Sequence, residues 1–207
     1  MIAAPSLGFV FLATPKCAST SIETALRPHA EVILTGQPRF KHTNYRSFHK
    51  YIRPLLESKG FEPSSYEVVC LFREPLDWVS SWWRYRSRDV LADPSAKRHR
   101  NYAGDLSLEA FVKGYIARDV PSARIGRQAR FVSSGDGTPG PDRIYRLDDL
   151  PRFVEFLNER VGTTLELGMS NVSPPRADEL SEATRESLRQ HLAEEYDIYE
   201  NRTFGHA

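Results

Sequence analysis

The chain carries, close to residue 1, the stretch Phe9-Val-Phe-Leu-Ala-Thr-Pro-Lys-Cys-Ala-Ser-Thr-Ser-Ile-Glu-Thr24. It begins with an apolar, β-prone run over residues 9–13, and such a run without alternation is typical of a strand buried on both faces. Pro15 then turns the chain into a small, hydroxyl-rich loop around Lys16. A helix is predicted to follow over residues 20–26. The stretch therefore predicts a strand, a loop and a helix in direct succession.

The junction between this strand and this helix has the features of an anion-binding loop. Ser19 or Thr20 can cap the helix, and Glu23, three residues after Thr20, can complete a capping box. Backbone N–H groups and the positive end of the helix dipole then point at the loop. Lys16 adds a full positive charge, and Ser21 adds another hydroxyl. The order differs from that of a Walker A loop, because here the lysine precedes the hydroxyls.

Length, charge and cysteine content exclude several classes of protein. The chain has 207 residues and a net charge of +1, which favours one globular domain over residues 1–207 and provides no general field for nucleic acid. Cys17 and Cys70 suit the reduced thiols of a cytoplasmic protein better than a disulfide framework. The apolar runs are shorter than the ~20 residues that span a bilayer, so we expect no membrane anchor.

Strands and helices are predicted to alternate along the chain. The predicted strands lie at residues 9–13, 32–34, 66–72 and 143–147. The predicted helices lie at residues 20–26, 45–59 with a kink or split at Pro54, 76–88, 106–118, 150–161 and 181–196. This order predicts an α/β fold with a central, mainly parallel sheet flanked by helices. Ligands bind beyond the carboxyl ends of such strands, which places Lys16, His42 and Arg73 at one rim.

A second pair of residues suggests a second anion site. Arg73 directly follows the predicted strand at 66–72, and Ser81 lies eight residues later, in the next helix. A guanidinium binds phosphate through two parallel hydrogen bonds, and a hydroxyl can add a third. Two anion sites on neighbouring strands suit a ligand that carries phosphates at both ends of its ribose.

The two motifs together resemble the cofactor motifs of sulfotransferases that use 3′-phosphoadenosine 5′-phosphosulfate (PAPS). Thr14-Pro-Lys-Cys-Ala-Ser-Thr-Ser21 looks like their 5′-phosphosulfate loop, Pro-Lys-x-x-x-Thr-Ser, and Arg73-Glu-Pro-Leu-Asp-Trp-Val-Ser-Ser81 looks like their 3′-phosphate motif. The resemblance is strongest to the branch of carbohydrate 2-O-sulfotransferases and small bacterial relatives. Further similarity extends it over most of the chain, at Ile144-Tyr-Arg-Leu-Asp-Asp-Leu150, at Asn171-Val-Ser173 and at the last helix, which ends in Asp197-Ile-Tyr199.

The resemblance implies a single sulfotransferase-like domain with a P-loop-like, three-layer fold. Such an enzyme moves the sulfuryl group of PAPS to an acceptor hydroxyl, here on a saccharide or a small metabolite, and needs no metal. The implied cofactor-binding residues are Lys16, Cys17, Ala18, Ser19, Thr20, Ser21, Arg73 and Ser81. Lys16 would also stabilise the leaving phosphate. His42 lies where relatives place a basic histidine stretch, and histidine is the obvious general base for a hydroxyl at neutral pH.

Other interpretations of the same residues stay open at this point. His42 could be a loop histidine without a catalytic role. The chain departs from many relatives at Cys17-Ala18, where they carry glycine, and at Trp78, where carbohydrate-active relatives often carry a basic residue. A P-loop-type kinase would need Asp148 and Asp149 to hold Mg²⁺, and a catalytically silent nucleotide-binding protein would keep the site alone. The acceptor and the oligomeric state are not predicted.

Overall fold

The computed structural model describes residues 1–136, 138–168 and 179–204. The chain divides into two compact units. The first unit comprises Met1–Arg73, Arg127–Ser170 and Asp197–Ala207, and the second comprises Glu74–Gly126 and Asn171–Tyr196. The single domain expected over residues 1–207 stays a prediction.

Within the described residues, the first unit contains a five-stranded sheet in the order β3-β1-β2-β4-β5. Its strands are β1 Ile2–Ala4, β2 Phe9–Leu12, β3 Val32–Ile33, β4 Glu67–Phe72 and β5 Arg143–Arg146. β1 is antiparallel to both of its neighbours, whereas β2, β4 and β5 run parallel to one another. The predicted α/β class is confirmed, and the sheet is mixed but mostly parallel. Leu12 lies opposite Cys70, so β2 and β4 end at the same edge.

β1 is the strand that the sequence pattern fails to predict. Two of its three residues are alanine, which is depleted in strands, and the strand is followed at once by Pro5. Ile2 pairs with Phe11 of β2 on one side and with Ile33 of β3 on the other, and it is only 1% exposed. Pairing on two sides and complete burial supply the stability that such a short segment lacks by itself.

Most of the helices lie at the predicted positions, but two short helices, Pro38–Lys41 and Gln128–Val132, are not predicted, and the last predicted helix is divided. In chain order the helices are α1 Ser19–Leu26, α2 Pro38–Lys41, α3 Tyr45–Ser47, α4 Arg53–Glu57, α5 Pro75–Arg86, α6 Leu108–Ala117, α7 Gln128–Val132, α8 Leu150–Val161, α9 Glu182–His191 and α10 Ala193–Asn201. A kink or split is predicted at Pro54; residues 45–57 are instead helical throughout, and a π-helical segment, Phe48–Ile52, joins α3 to α4 just before Pro54. The last predicted helix is instead two helices, which meet at Leu192.

Both faces of the sheet in the first unit are covered. On one face, Val10 and Leu12 of β2 belong to a buried cluster that also contains Phe48, Phe131 and Ile144. On the other face, Phe9 and Phe11 pack against two rings of α8, with ring centroids 6.2 Å apart for Phe9–Phe156 and 5.6 Å apart for Phe11–Phe153. The unbroken apolar run of β2 is therefore explained by burial on both sides.

The second unit is helical in its described part, and α5, α6 and α9 pack against one another. Each of the three helices has a side-chain cap. Glu74 accepts from Asp77 N, Ser107 from Ala110 N and Ser181 from Thr184 N. The buried Arg86 donates to the carbonyls of Ser122 and Arg124 at 2.6 and 2.9 Å, which ties the end of α5 to the segment that follows α6. None of the described helices is long and apolar enough to cross a membrane.

Candidate anion-binding site

The loop between β2 and α1 has an unusual backbone. Lys16 has a φ of 66° and Ala18 a φ of 50°, so two residues that are not glycine adopt left-handed conformations. Each costs roughly 1–2 kcal/mol relative to the right-handed region. The turn is closed by a hydrogen bond of 3.4 Å from Cys17 N to Thr14 O. Left-handed conformations in such loops bring backbone N–H groups together into concave anion sites, and strained residues cluster where ligands bind.

The capping box predicted for α1 is wrong. The helix begins at Ser19, its N-cap is Ala18, and no side chain caps it. Glu23 is 7% exposed and points elsewhere: its Oε1 accepts from the backbone nitrogen of Met1 at 2.8 Å, and its Oε2 pairs with Lys41 Nζ at 3.0 Å. The first N–H groups of α1 therefore have no carboxylate or hydroxyl cap, and they point toward the loop.

Lys41 contributes a second cationic side chain near the start of α1. Its Nζ donates to Thr20 Oγ1 at 2.9 Å and lies 3.0 Å from Glu23 Oε2. The side chain is 20% exposed, so water screens the charge incompletely. The short helix α2, which the sequence pattern does not predict, places Lys41 here, and the one-turn length of that helix explains why no periodicity announces it.

His42 lies beside the end of β2. Its Nδ1 is 2.7 Å from the carbonyl oxygen of Ala13, which assigns the ring proton to Nδ1 and leaves Nε2 as the acceptor of the neutral ring. Burial lowers the pKa of His42 below its ordinary value, the bond to Ala13 opposes this, and the charge of Lys41 adds to the lowering. A neutral histidine with a fixed Nδ1–H is the form that a general base requires.

Arg73 reaches the same loop from the neighbouring parallel strand. Its Nη1 donates to the carbonyl oxygen of Lys16 at 3.0 Å. Its backbone is held by Gln128, whose Oε1 accepts from Arg73 N at 3.0 Å and whose Nε2 donates to Arg73 O at 2.9 Å. Lys16 and Arg73 therefore lie together in the first unit, as the common edge of β2 and β4 predicts. His42 contacts Ala13, directly after the end of β2.

Other predicted site residues are placed differently. Cys17 is fully buried, and its Sγ donates to Gln128 Oε1 at 3.6 Å. Its side chain therefore packs beneath the surface of the protein and is not exposed to a ligand. Ser81 belongs to the second unit, where it lies within α5 and is 5% exposed. The Asn171-Val-Ser173 motif lies outside the described residues. Asp148 is exposed and accepts from Tyr199 Oη at 2.7 Å.

Gln128 contacts the residues of the candidate site, but the sequence pattern gives little indication of this. It is 1% exposed and lies 55 residues from Arg73 along the chain. A single glutamine before a short apolar run has no spacing or motif that distinguishes it. Only the fold, which packs α7 against the sheet, brings its amide to the end of β4.

A cavity of about 430 Å³ runs along one side of α1. Ser21, Thr24 and Ala25 line it from the helix, and the segment 163–166 lines it from the chain that follows α8. Its volume is in the range of small-molecule sites. Because Ser21 belongs to the first turn of α1, the cavity extends to the end of the helix that directly follows the loop around Lys16. Among the described residues, no group of three or more His, Cys, Asp or Glu side chains is placed to hold a metal ion.

A scan of family models, a search of characterised proteins and a search of solved structures each find no match to this chain. The function is therefore inferred from the residues of the site and their geometry.

Proposed function

We propose that this protein is a sulfotransferase that uses PAPS as its sulfuryl donor and an alcohol as its acceptor. The observation that carries the proposal is the contact between the two motifs. The Arg73 guanidinium, at the end of β4, lies 3.0 Å from the carbonyl oxygen of Lys16 in the loop before α1. The uncapped N-terminus of α1 adds N–H donors and a positive dipole to the same loop. A P-loop-like, three-layer fold belongs to this proposal, supported by the helices on both faces of the sheet.

The residues divide the chemistry of the transfer among them. The backbone N–H groups of residues 18–21 would hold the 5′-phosphosulfate. Lys16 would neutralise the negative charge that grows on the leaving phosphate as the bridging S–O bond breaks. An acceptor oxygen attacks sulfur in line with the leaving oxygen, so that one S–O bond forms while the other breaks. His42 Nε2 would take the proton of the acceptor hydroxyl, and 3′-phosphoadenosine 5′-phosphate (PAP) would leave as the product.

The remaining parts of the donor have candidate sites as well. The cavity that shares Ser21 with the first turn of α1 is large enough for a nucleoside and is lined by hydroxyl groups that suit its polar edges. In this proposal Arg73 binds the 3′-phosphate; Ser81, which the resemblance also implies, belongs to the second unit. The acceptor is a saccharide or a small metabolite, since the reaction requires only a hydroxyl within reach of His42.

Ligand-dependent thermal unfolding tests the proposal directly. Saturating PAP should stabilise the protein, since a ligand at 100 times its Kd adds about 2.7 kcal/mol to the free energy of unfolding. AMP, which lacks the 3′-phosphate, should protect far less, and equal protection by AMP would remove the basis for a PAPS site. Transfer of labelled sulfate from PAPS to a library of hydroxyl acceptors then tests catalysis. PAP binding without transfer would indicate a catalytically silent binding protein, and phosphoryl transfer from Mg²⁺-ATP would indicate a kinase.

A further inference from the structure

Gln128 supplies hydrogen-bond partners for the backbone N–H and C=O of Arg73, which lies beyond the end of β4. β4 ends at Phe72, so Arg73 lies one residue beyond the ladder. Buried backbone N–H and C=O groups must find partners, and here both partners come from one side chain. The amide of Gln128 accepts from Arg73 N at 3.0 Å and donates to Arg73 O at 2.9 Å, as a further strand would.

The same amide also contacts the loop that precedes α1. Gln128 Oε1 accepts from Cys17 Sγ at 3.6 Å, while the guanidinium of Arg73 donates to Lys16 O at 3.0 Å. A closed set of contacts therefore runs from Gln128 through Arg73 to Lys16 and returns through Cys17.

The position of Gln128 is fixed by its helix. Ala129 and Val132 of α7 are fully buried, and Phe131 is 7% exposed, all within the core cluster of the first unit. Gln128 itself is 1% exposed. A buried amide on an anchored helix has little freedom to rotate, and leaving it without partners would be expensive. The buried helix α7 therefore fixes the Gln128 amide, and that amide holds the backbone of Arg73.

We propose that Gln128 is a positioning residue that sets the Arg73 guanidinium against the Lys16 loop and thereby shapes the anion site. Its effect on ligand binding is exerted through Arg73, and in that respect it rests on the function proposed above. The contact with the Arg73 backbone does not depend on the identity of the ligand, so it can be tested separately.

The test compares Gln128→Met with Gln190→Met. Methionine keeps the length and volume of glutamine and removes its hydrogen bonds, whereas Gln190 is an exposed glutamine on α9 and serves as the matched control. Two measurements are made on each full-length variant: the hydrogen-exchange rate of the Arg73 amide, followed by NMR, and the Kd for PAP, followed by calorimetry. Both substitutions are then repeated in an Arg73→Met background to give double-mutant cycles.

Gln128→Met should accelerate exchange of the Arg73 amide and weaken PAP binding about tenfold, while Gln190→Met leaves both within twofold. In the Arg73→Met background, Gln128→Met should have no further effect on PAP binding. An equal additional loss in that background would mean that Gln128 acts only on general stability, and would overturn the proposal. If the wild type prefers PAP no more than AMP, the proposed function fails, and the positioning role is then judged from hydrogen exchange alone. An unchanged exchange rate of the Arg73 amide in Gln128→Met refutes that role, and a faster exchange rate supports it.

Discussion

The N-termini of α1 and α5 offer a direct comparison, because each helix follows one of two neighbouring parallel strands. α5 is closed by its own residues: Glu74 accepts from Asp77 N at 2.6 Å, Pro75 occupies the first turn, and the Asp77 carboxylate lies there too. α1 has no side-chain cap, no acidic residue in its first turn, and a left-handed Ala18 as its N-cap. The positive end of α5 is thus neutralised by its own residues, whereas that of α1 has no such carboxylate.

The two carboxylates involved show how this difference is maintained. Glu74 accepts from Asp77 N through one oxygen and from Tyr196 Oη, at 2.9 Å, through the other, so it stays at the start of α5. Burial, and secondarily the charge of Glu74, raises the pKa of Tyr196, so this phenol remains a donor at neutral pH. Glu23 does not cap α1, because its two oxygens are engaged by the amino group of Met1 and by Lys41. The two helix starts therefore differ in whether a nearby carboxylate is available as a cap.

The largest effect is expected at the cation of the open N-terminus. Lys16→Ala should abolish sulfuryl transfer, by more than roughly 10³-fold, because the charge on the leaving phosphate loses its nearest counter-charge. Far-UV circular dichroism should remain that of the wild type. Lys59→Ala, at an exposed lysine after α4, is the control and should retain full activity. Wild-type turnover by the Lys16 variant would contradict the role assigned to the loop.

The general base should give the next largest effect. His42→Ala should lower kcat by about 10²–10⁴-fold, and His49→Ala, at an exposed histidine, should leave it unchanged. The active form of His42 is neutral, and burial lowers its pKa below 6.5. The pH profile of kcat/KM reports the free enzyme, so its acid limb should lie below pH 6.5, with activity constant through pH 7 and lost only at lower pH. An acid limb above pH 6.5 would assign the base to another group.

A carboxylate placed at the start of α1 should remove the difference between the two helix N-termini. Ala18→Asp places a negative charge at the open N-terminus and should weaken PAP binding at least tenfold, since like charges a few ångströms apart repel by kcal/mol amounts. Ala18→Asn has nearly the same size, tolerates the left-handed conformation and carries no charge, so it should bind within about threefold of the wild type. Equal affinities of the two variants, measured by calorimetry at low ionic strength, would exclude an anion at this position.

The smallest effect is expected at the closed N-terminus. Glu74→Ala removes the side-chain cap of α5 and should lower the free energy of unfolding by about 1 kcal/mol. Urea denaturation measures this change, with Glu57→Ala, at an exposed glutamate of α4, as the control. A loss of less than 0.3 kcal/mol, roughly the noise of such measurements, would mean that Pro75 and the helix dipole alone define the start of α5.

Local pattern was sufficient for the elements that carry the site. The apolar runs of β2 and β4 are confirmed as strands, and the helix that contains Pro54 is distorted by a π-helical segment just before that residue. Local pattern failed for β1, whose two alanines are depleted in strands, and for α2 and α7, because a helix of about one turn has no periodicity to detect. It also failed at the cap of α1. Spacing alone made Glu23 a capping residue, but its ion pair with Lys41 is a tertiary contact that no local motif encodes.

The sequence by itself determined that an apolar strand leads through Lys16 into a helix, and that Arg73 directly follows another strand. The physical reason is that burial periodicity and proline geometry act within a few residues of the chain. Only the tertiary structure decided which helix N-terminus stays open and which side chain holds Arg73. Those outcomes depend on contacts between residues far apart in sequence, such as Gln128 with Arg73 and Lys41 with Glu23. The residues of the candidate anion site are thus encoded in short local segments, and their arrangement is set by the fold.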